Sequence, residues 1–287
     1  MYKQKLCLSL SASYKTPYKE QIKLFKAAGF EGFAIDLSDK NADAASLAAI
    51  GREESMIISY LHAPFNKSDD MWADGELGDV ALAELLDCLE TCSRLEIPAM
   101  VAHTFIGFDS DNIPTQLGIE RYGALAIRAQ EIGVTLALEN TEGEEYLAAL
   151  MKNLKDIPSV GFCWDTGHEL CYNYGKDLTA LYGDKLAVTH LNDNLGIRDF
   201  DGKITYIDDL HLLPFDGITD WTSVAKRLVN CSFDKPLSFE LTTQSKPNRH
   251  ENDKYAAMPF ECFVAEAYNR ACRVASLVIK EREAQAK

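Results

Sequence analysis

The sequence lacks any apolar run approaching the roughly 20 residues that cross a bilayer. Its opening, MYKQKLCLSLSASYKTP, has neither the apolar stretch nor the cleavage site of a secretory signal. A soluble, cytoplasmic protein with no membrane partner is expected. The chain is also short of positive charge: 29 Lys and Arg stand against 44 Asp and Glu, for a net charge of −15. A field of that sign repels a phosphate backbone, which makes nucleic acid a disfavoured partner. No C-x-x-C pair occurs among the eight cysteines (Cys7, Cys88, Cys92, Cys163, Cys171, Cys231, Cys262 and Cys272), and most lie in apolar segments. They read as reduced, buried small hydrophobes rather than a disulfide framework. Pro/Gly/Ser-rich linkers and low-complexity tracts are missing too, so nothing marks a domain boundary. No G-x-G-x-x-G follows the first candidate strand, which removes the usual support for an open dinucleotide-binding sheet.

What is present is an alternation. At 287 residues and 47% hydrophobic content the chain can bury a full core. Short β-branched or aromatic runs predict strands at Lys5–Leu10, Gly32–Leu37, Ser55–Leu61, Ala99–His103, Thr135–Glu139, Val160–Asp165, Ala187–Leu191 and Leu237–Leu241. Stretches of helical periodicity separate them: Tyr18–Ala28, Ala42–Arg52, Leu77–Arg94, Gln116–Ile132, Glu144–Leu154, Lys176–Leu181 and Trp221–Leu228, with Tyr255–Lys280 closing the chain. Eight strand–helix units without a break predict one α/β domain over 1–287, a single (β/α)8 barrel. Two connections are too long for plain turns: HAPFNKSDDMWADGEL after the third strand and NDNLGIRDFDGKITYIDDLHLLPFDGITD after the seventh. In a barrel such loops gather at the face that binds ligands.

The histidines and carboxylates fall at that face. His62, His103, His168 and His190 stand at or just after predicted strand ends, and His211 lies in the second long loop. Glu139, Asp165 and Glu240 take the same kind of position, and Asp209 precedes His211 by two. Strand ends remote in sequence converge at a barrel mouth, where crowded imidazoles and carboxylates are repelled or desolvated unless a cation joins them. Mixed nitrogen and oxygen ligands suit Mn²⁺, Co²⁺ or Zn²⁺ better than Ca²⁺. Asp165 also reads as an N-terminal cap with Thr166, which would put His168 in the first helical turn beyond it. Asn192 and Asp193 read as turn formers, with His190 pointing inward, and Asn140 as a hydrogen-bond partner of the ligands rather than a ligand.

In their order along the chain, GFEGFAIDL, LHAPF, LALEN, GFCWDTGH, THLNDN, DDLHLLPFDGITDW and SFEL resemble the xylose-isomerase-like barrel superfamily. That superfamily contains sugar (phosphate) isomerases and epimerases and also endonuclease IV. In its isomerases and epimerases one divalent metal is held by Glu, Asp, His and Glu, which the resemblance places on Glu139, Asp165, His190 and Glu240. A histidine three residues after the aspartate contacts substrate, here His168. Endonuclease IV holds three zinc ions, and every ligand has a same-type match. His62, His103 and Glu139 would serve one ion, Glu139, Asp165, His190 and Glu240 the second, and His168, Asp209 and His211 the third.

The loops separate these readings. An abasic-site nuclease needs basic loops and apolar wedges to grip a duplex. Here LHAPFNKSDDMWADGELGD carries one lysine against Asp69, Asp70, Asp74, Glu76 and Asp79. The loop after the seventh strand sets Arg198 and Lys203 against Asp193, Asp199, Asp201, Asp208, Asp209, Asp216 and Asp220. Such a mouth suits a neutral sugar or polyol, with Lys67, Arg198 or Lys203 as the available anchors for one phosphate and Phe65, Trp72 and Phe105 as apolar walls. The resemblance thus implies a metal-dependent ketose or aldose isomerase or epimerase working through an enediolate, with Glu139 and Glu240 as acid and base. One Mn²⁺, Co²⁺ or Zn²⁺ per chain is expected, up to three being accommodated, with a carbohydrate substrate and a homo-oligomer as in many relatives. The alternatives are an endonuclease IV-like trinuclear zinc phosphodiesterase and a non-catalytic sugar-binding barrel.

Overall fold

Parallel strands alternate with helices throughout the structure, a computed structural model that describes residues 4–108, 111, 113–198 and 203–286. The strands are β1 (Leu6–Ser9), β2 (Gly32–Asp36), β3 (Ile57–His62), β4 (Ala99–His103), β5 (Thr135–Glu139), β6 (Val160–Asp165), β7 (Leu186–His190) and β8 (Leu237–Phe239). They form one parallel sheet in the order β7-β6-β5-β4-β3-β2-β1-β8. A bridge just beyond β7 closes the ring, with Leu191 N–H donating to Ser238 O at 2.9 Å and Glu240 N–H to Leu191 O at 3.3 Å. The fold is therefore the (β/α)8 barrel expected from the alternation. Of the loop acids counted above, Asp199 and Asp201 lie outside the described residues.

Around the barrel run α1 (Tyr18–Ala28), α2 (Ala44–Glu53), α3 (Glu76–Leu95), α4 (Gln116–Ile132), α5 (Glu144–Asn153), α6 (Thr166–Cys171), α7 (Thr179–Tyr182), α8 (Trp221–Asn230), α9 (Asp253–Ala256) and α10 (Phe260–Gln285). Two expectations about helices need correction. The helix expected over Lys176–Leu181 is the single turn α7, because the chain already turns helical at Thr166. The closing helix is not continuous from Tyr255: Pro259, with no N–H and a fixed φ, ends α9 and sits at the start of α10. The cysteines also differ from expectation in part. All are free, but Cys262 and Cys272 are exposed on α10 and Cys231 is half-buried.

Strand parity organises the interior. Successive side chains of a strand point to opposite faces. Phe33, Ile35, Leu61, Leu136, Leu138, Phe162 and Trp164 face outward into the large core beneath the helices. Ala34, Tyr60, Val101, Ala137, Cys163 and Val188 form a separate, smaller cluster inside the barrel. Two residues beyond each of these six, hence on the same inner face, stand Asp36, His62, His103, Glu139, Asp165 and His190. The polar mouth is the top layer of the barrel core.

The long loop after β7 is organised by Asp193, which is wholly buried. Its carboxylate accepts the N–H groups of Asn194 (2.9 Å), Phe215 (2.8 Å) and Thr219 (3.0 Å) and the Trp221 indole N–H (3.0 Å). Replacing it with alanine strands four donors, two buried and two partly buried. Asp193→Ala is expected to cost about 3 kcal/mol or more of stability, measured by denaturant unfolding.

Candidate metal centre

Three strand ends supply the innermost group. Glu139 ends β5, Asp165 ends β6 and His190 ends β7, while Glu240 follows β8 directly. One ligand atom from each of the four lies within 4.8 Å of all the others. The same limit encloses His62, His103 and Glu139, and again His168, Asp209 and His211. All nine residues singled out at the strand ends and in the second long loop are thus brought together. His250 is not among them: it pairs with Asp253 at 2.9 Å on the surface.

Glu139 is the centre of this group. Its Oε2 lies 3.2 Å from His62 Nε2 and 3.4 Å from His103 Nε2, and its Oε1 lies 3.2 Å from His168 Nδ1 and 3.0 Å from His190 Nδ1. Burial alone would raise its pKa, but the charges of His190 and His103 and the hydrogen bonds from His168 and His190 hold it well below the usual carboxylate range. His190 Nδ1 also lies 2.9 Å from Glu240 Oε2 and 3.8 Å from Asp165 Oδ2. One imidazole N–H cannot satisfy three carboxylates, and among the described residues no Lys or Arg pairs with any of them. Burial opposes ionisation of Glu240, yet His190 and His211 bring it down to about 2. Burial pushes Asp165 up to about 6 against the pull of His168 and His211.

The imidazoles answer these charges. Burial disfavours protonation of His168, His190 and His211, but it is overcome by the carboxylates around His168 and His211, and by Cys163 with Glu139 and Glu240 around His190, raising His211 to about 9 and the other two well above the ordinary value. His103, with burial dominant, falls to about 3. Without an ion, protons on imidazoles supply the positive charge the carboxylates require. The inner donor set, three carboxylates about one imidazole, fits a divalent transition ion. Asp209 Oδ1 makes no hydrogen bond although His211 Nε2 is 2.9 Å and His168 Nε2 3.5 Å away.

Local structure holds the ligands in place. Asp165 Oδ1 accepts the His168 N–H at 2.6 Å and caps α6, so His168 is placed by the residue it neighbours. Thr166 is not part of the cap; its hydroxyl donates to Asn192 O at 2.7 Å. Asn192 Nδ2 donates to Asp165 Oδ2 at 2.9 Å, and a Cβ at Gly167 would collide with the Asn192 amide. Asn140 exchanges hydrogen bonds with the Asp165 backbone at 2.8 and 2.9 Å, and its carbonyl accepts from His168 Nδ1 at 3.0 Å. Behind α6, Arg227 clasps buried Glu169 with two bonds of 2.7 Å and covers the Trp164 ring at 4.2 Å.

Above the ligands opens a cavity of about 380 Å³. Phe65 lines it, stacked on His103 at 4.4 Å. Trp72 and Phe105 do not: Trp72 donates to Thr104 O and packs on Tyr122 and Tyr146, and Phe105 stacks on Tyr146, all within the core. Lys67 pairs with Glu84 at 3.3 Å, and neither it nor Arg198 nor Lys203 reaches the cavity. Among the described residues the Lys or Arg that does is Lys246, in the loop after β8, 3.1 Å from Asp209 Oδ2. Lys246, Asp36 and Glu142 were not singled out in the sequence. Asp36 ends β2 with the parity of the other site residues, and Glu142 is buried with Oε1 accepting the Gly107 N–H at 3.0 Å. Nothing in the sequence marks Lys246.

The sequence pattern of the xylose isomerase-like TIM barrels matches residues 22–258. The uncharacterized protein y4fM of Sinorhizobium fredii is 27% identical over 199 residues, 64% of this chain and 61% of that protein. A probable endonuclease 4 of Cenarchaeum symbiosum is 30% identical over 137 residues, 44% of this chain and 46% of that protein. The chain thus spans about half to three fifths of the length of these relatives. Among solved structures, D-psicose 3-epimerase from Clostridium cellulolyticum H10 superposes with a TM-score of 0.73 at 14% identity, covering 96% of this chain and 99% of that one. The IOLI protein with a binding zinc atom gives 0.72 at 20% identity over 96% and 99%. At these identities the likeness concerns the fold alone. The chain belongs to the xylose isomerase-like TIM barrel family.

Proposed function

We propose that this protein is a divalent-metal-dependent isomerase or epimerase acting on a ketose, an aldose or a related polyol ketone. The observation that carries the reading is His190 Nδ1 facing oxygens of Glu139, Glu240 and Asp165 at 3.0, 2.9 and 3.8 Å beneath a small cavity. Three carboxylates and a histidine make a cation position with the charge and donor types of Mn²⁺, Co²⁺ or Zn²⁺. A bound ion there supplies a Lewis acid that polarises a carbonyl and acidifies the neighbouring C–H. Neighbours of the same fold include D-psicose 3-epimerase and L-ribulose 3-epimerase, which supports a sugar as substrate.

The protein's own groups divide the remaining work. Glu240 lines the cavity with 23% of its side chain exposed, whereas Glu139 is wholly buried beneath it. Glu240 is therefore the carboxylate that first meets a C–H proton. The proton returns either to the adjacent carbon, giving an isomer, or to the same carbon from the opposite face, giving an epimer. In the second case the donor is a different carboxyl group, and Glu139 takes that role by passing on a proton it draws from an imidazole beside it, His190 Nδ1 at 3.0 Å or His168 Nδ1 at 3.2 Å. His168 and His211 at the cavity wall hold substrate hydroxyls, and Phe65 covers an apolar edge.

A specific observation favours a second reading, phosphodiester hydrolysis. The two further ligand groups, His62–His103–Glu139 and His168–Asp209–His211, are assembled, and the probable endonuclease 4 relatives share 30% and 31% identity over part of their length. Against it stands the chain's net charge of −15, which opposes a nucleic-acid partner.

Incubation in D₂O with a panel of ketoses, inositol-derived ketones and hydroxypyruvate is expected to place deuterium beside a carbonyl for one of them, read by NMR. Cleavage of abasic DNA without any exchange would overturn the assignment. Glu240→Gln is expected to lower turnover about 10²- to 10⁴-fold while the protein still binds metal. Glu139→Gln is expected to lose metal and turnover together, because Glu139 belongs to three ligand groups and is wholly buried among four imidazoles. Chelation of the wild-type protein is expected to abolish exchange and lower the melting temperature, both restored by Mn²⁺, Co²⁺ or Zn²⁺.

A further inference from the structure

The inner and outer ligand groups differ in one respect that their residue types conceal. Glu139, Asp165 and Glu240 bring three carboxylates to the inner position, and among the described residues their ion-pair partners are all histidines. His168, Asp209 and His211 bring a single carboxylate to the outer one. That carboxylate is already divided: Oδ1 faces the two imidazoles at 3.5 and 2.9 Å, and Oδ2 lies 3.1 Å from Lys246 Nζ. With the imidazoles neutral, as they are when they bind a metal, the outer group plus its lysine carries no net charge, while the inner group carries three negative charges.

Lys246 is not a surface side chain that happens to reach inward. Its loop is fastened to the Asp208–His211 segment by the buried Arg249–Asp208 pair at 2.6 Å. Asn252 Nδ2 adds bonds to Leu210 O at 3.0 Å and Thr242 O at 3.1 Å, and the Thr242 N–H donates to His211 O at 3.2 Å. The fold thus holds a fixed ammonium against the only anionic ligand of the outer position. A divalent ion entering there would meet that charge in a region of low effective dielectric constant.

We propose that Lys246 is a resident cation that takes the place of a metal ion, closing the His168–Asp209–His211 position and leaving the protein with at most two ions per chain. The inference rests on the reading of the inner group as a metal centre, and it explains how a chain with the full ligand set of a trinuclear site serves a sugar-type reaction instead. His168 and His211 are then free to face substrate.

The test is a metal count. Wild-type protein and the variants Lys246→Met and Lys246→Arg are stripped with chelator, reloaded with excess Zn²⁺, desalted and analysed for zinc. Wild type and Lys246→Arg are expected to hold the same number, one or two per chain, and Lys246→Met about one more, with a further rise in melting temperature on adding Zn²⁺. Lys246→Gln serves the same comparison if the methionine variant does not fold. Three zinc ions in the wild type, or equal counts in wild type and the neutral variants, overturn the proposal. Zero zinc throughout overturns the metal reading itself, and the proposal with it.

Discussion

The structure turns on a carboxylate that has no contact with solvent. Glu139 sits at the end of β5 with four imidazoles around it, at 3.0 to 3.4 Å. Removing a charge from water costs several kcal/mol unless partners replace the lost hydration. The partners here come from β3, β4, β7 and the first turn of α6, so the cost of one buried charge is met only when those elements are all in place. The mouth of the barrel is therefore a joint as well as a site. Closing the ring between β7 and β8 brings His190 and Glu240 to the same joint.

Beneath this layer the barrel interior is made of small residues with one exception. Tyr60 packs its ring on His190 at 5.0 Å and bonds Ser9 through its hydroxyl at 2.7 Å. It forms the floor on which the central imidazole rests. Above, the second long loop gains order from buried acids: Asp193 gathers four donors, and Asp208 is paired with Arg249. The acidity of that loop, which from composition reads as a solvent-facing feature, is in good part internal structure.

Much of this was legible in the sequence, and for one reason. A strand has a period of two, so a polar residue two positions after a small inward residue is forced to the same face, and β4, β5 and β6 end on His103, Glu139 and Asp165 as expected from the apolar pattern. What escaped was set by how loops fold back. Trp72 and Phe105 stand in loops and look available to a ligand, yet they turn under the surface to pack on Tyr146. Lys246 stands in a loop with no pattern at all, and only the Arg249 and Asn252 contacts bring it to the cavity. Glu142 follows Glu139 by three residues, beyond the end of the strand, where alternation no longer tells direction. The break at Pro259 was written in the sequence, but the apolar periodicity on both sides of it suggested one helix.

The cap on α6 has a further consequence. Asp165 gives Oδ1 to the His168 amide and presents Oδ2, already touched by Asn192, toward His190. With one lone pair of each oxygen already taken, such a carboxylate has two left to offer a cation where a free one has four. The donor capacity at this position is thus set in part by the backbone of the helix that follows. An ion content with few, short contacts is better served by that arrangement than Ca²⁺, which collects six to eight oxygens.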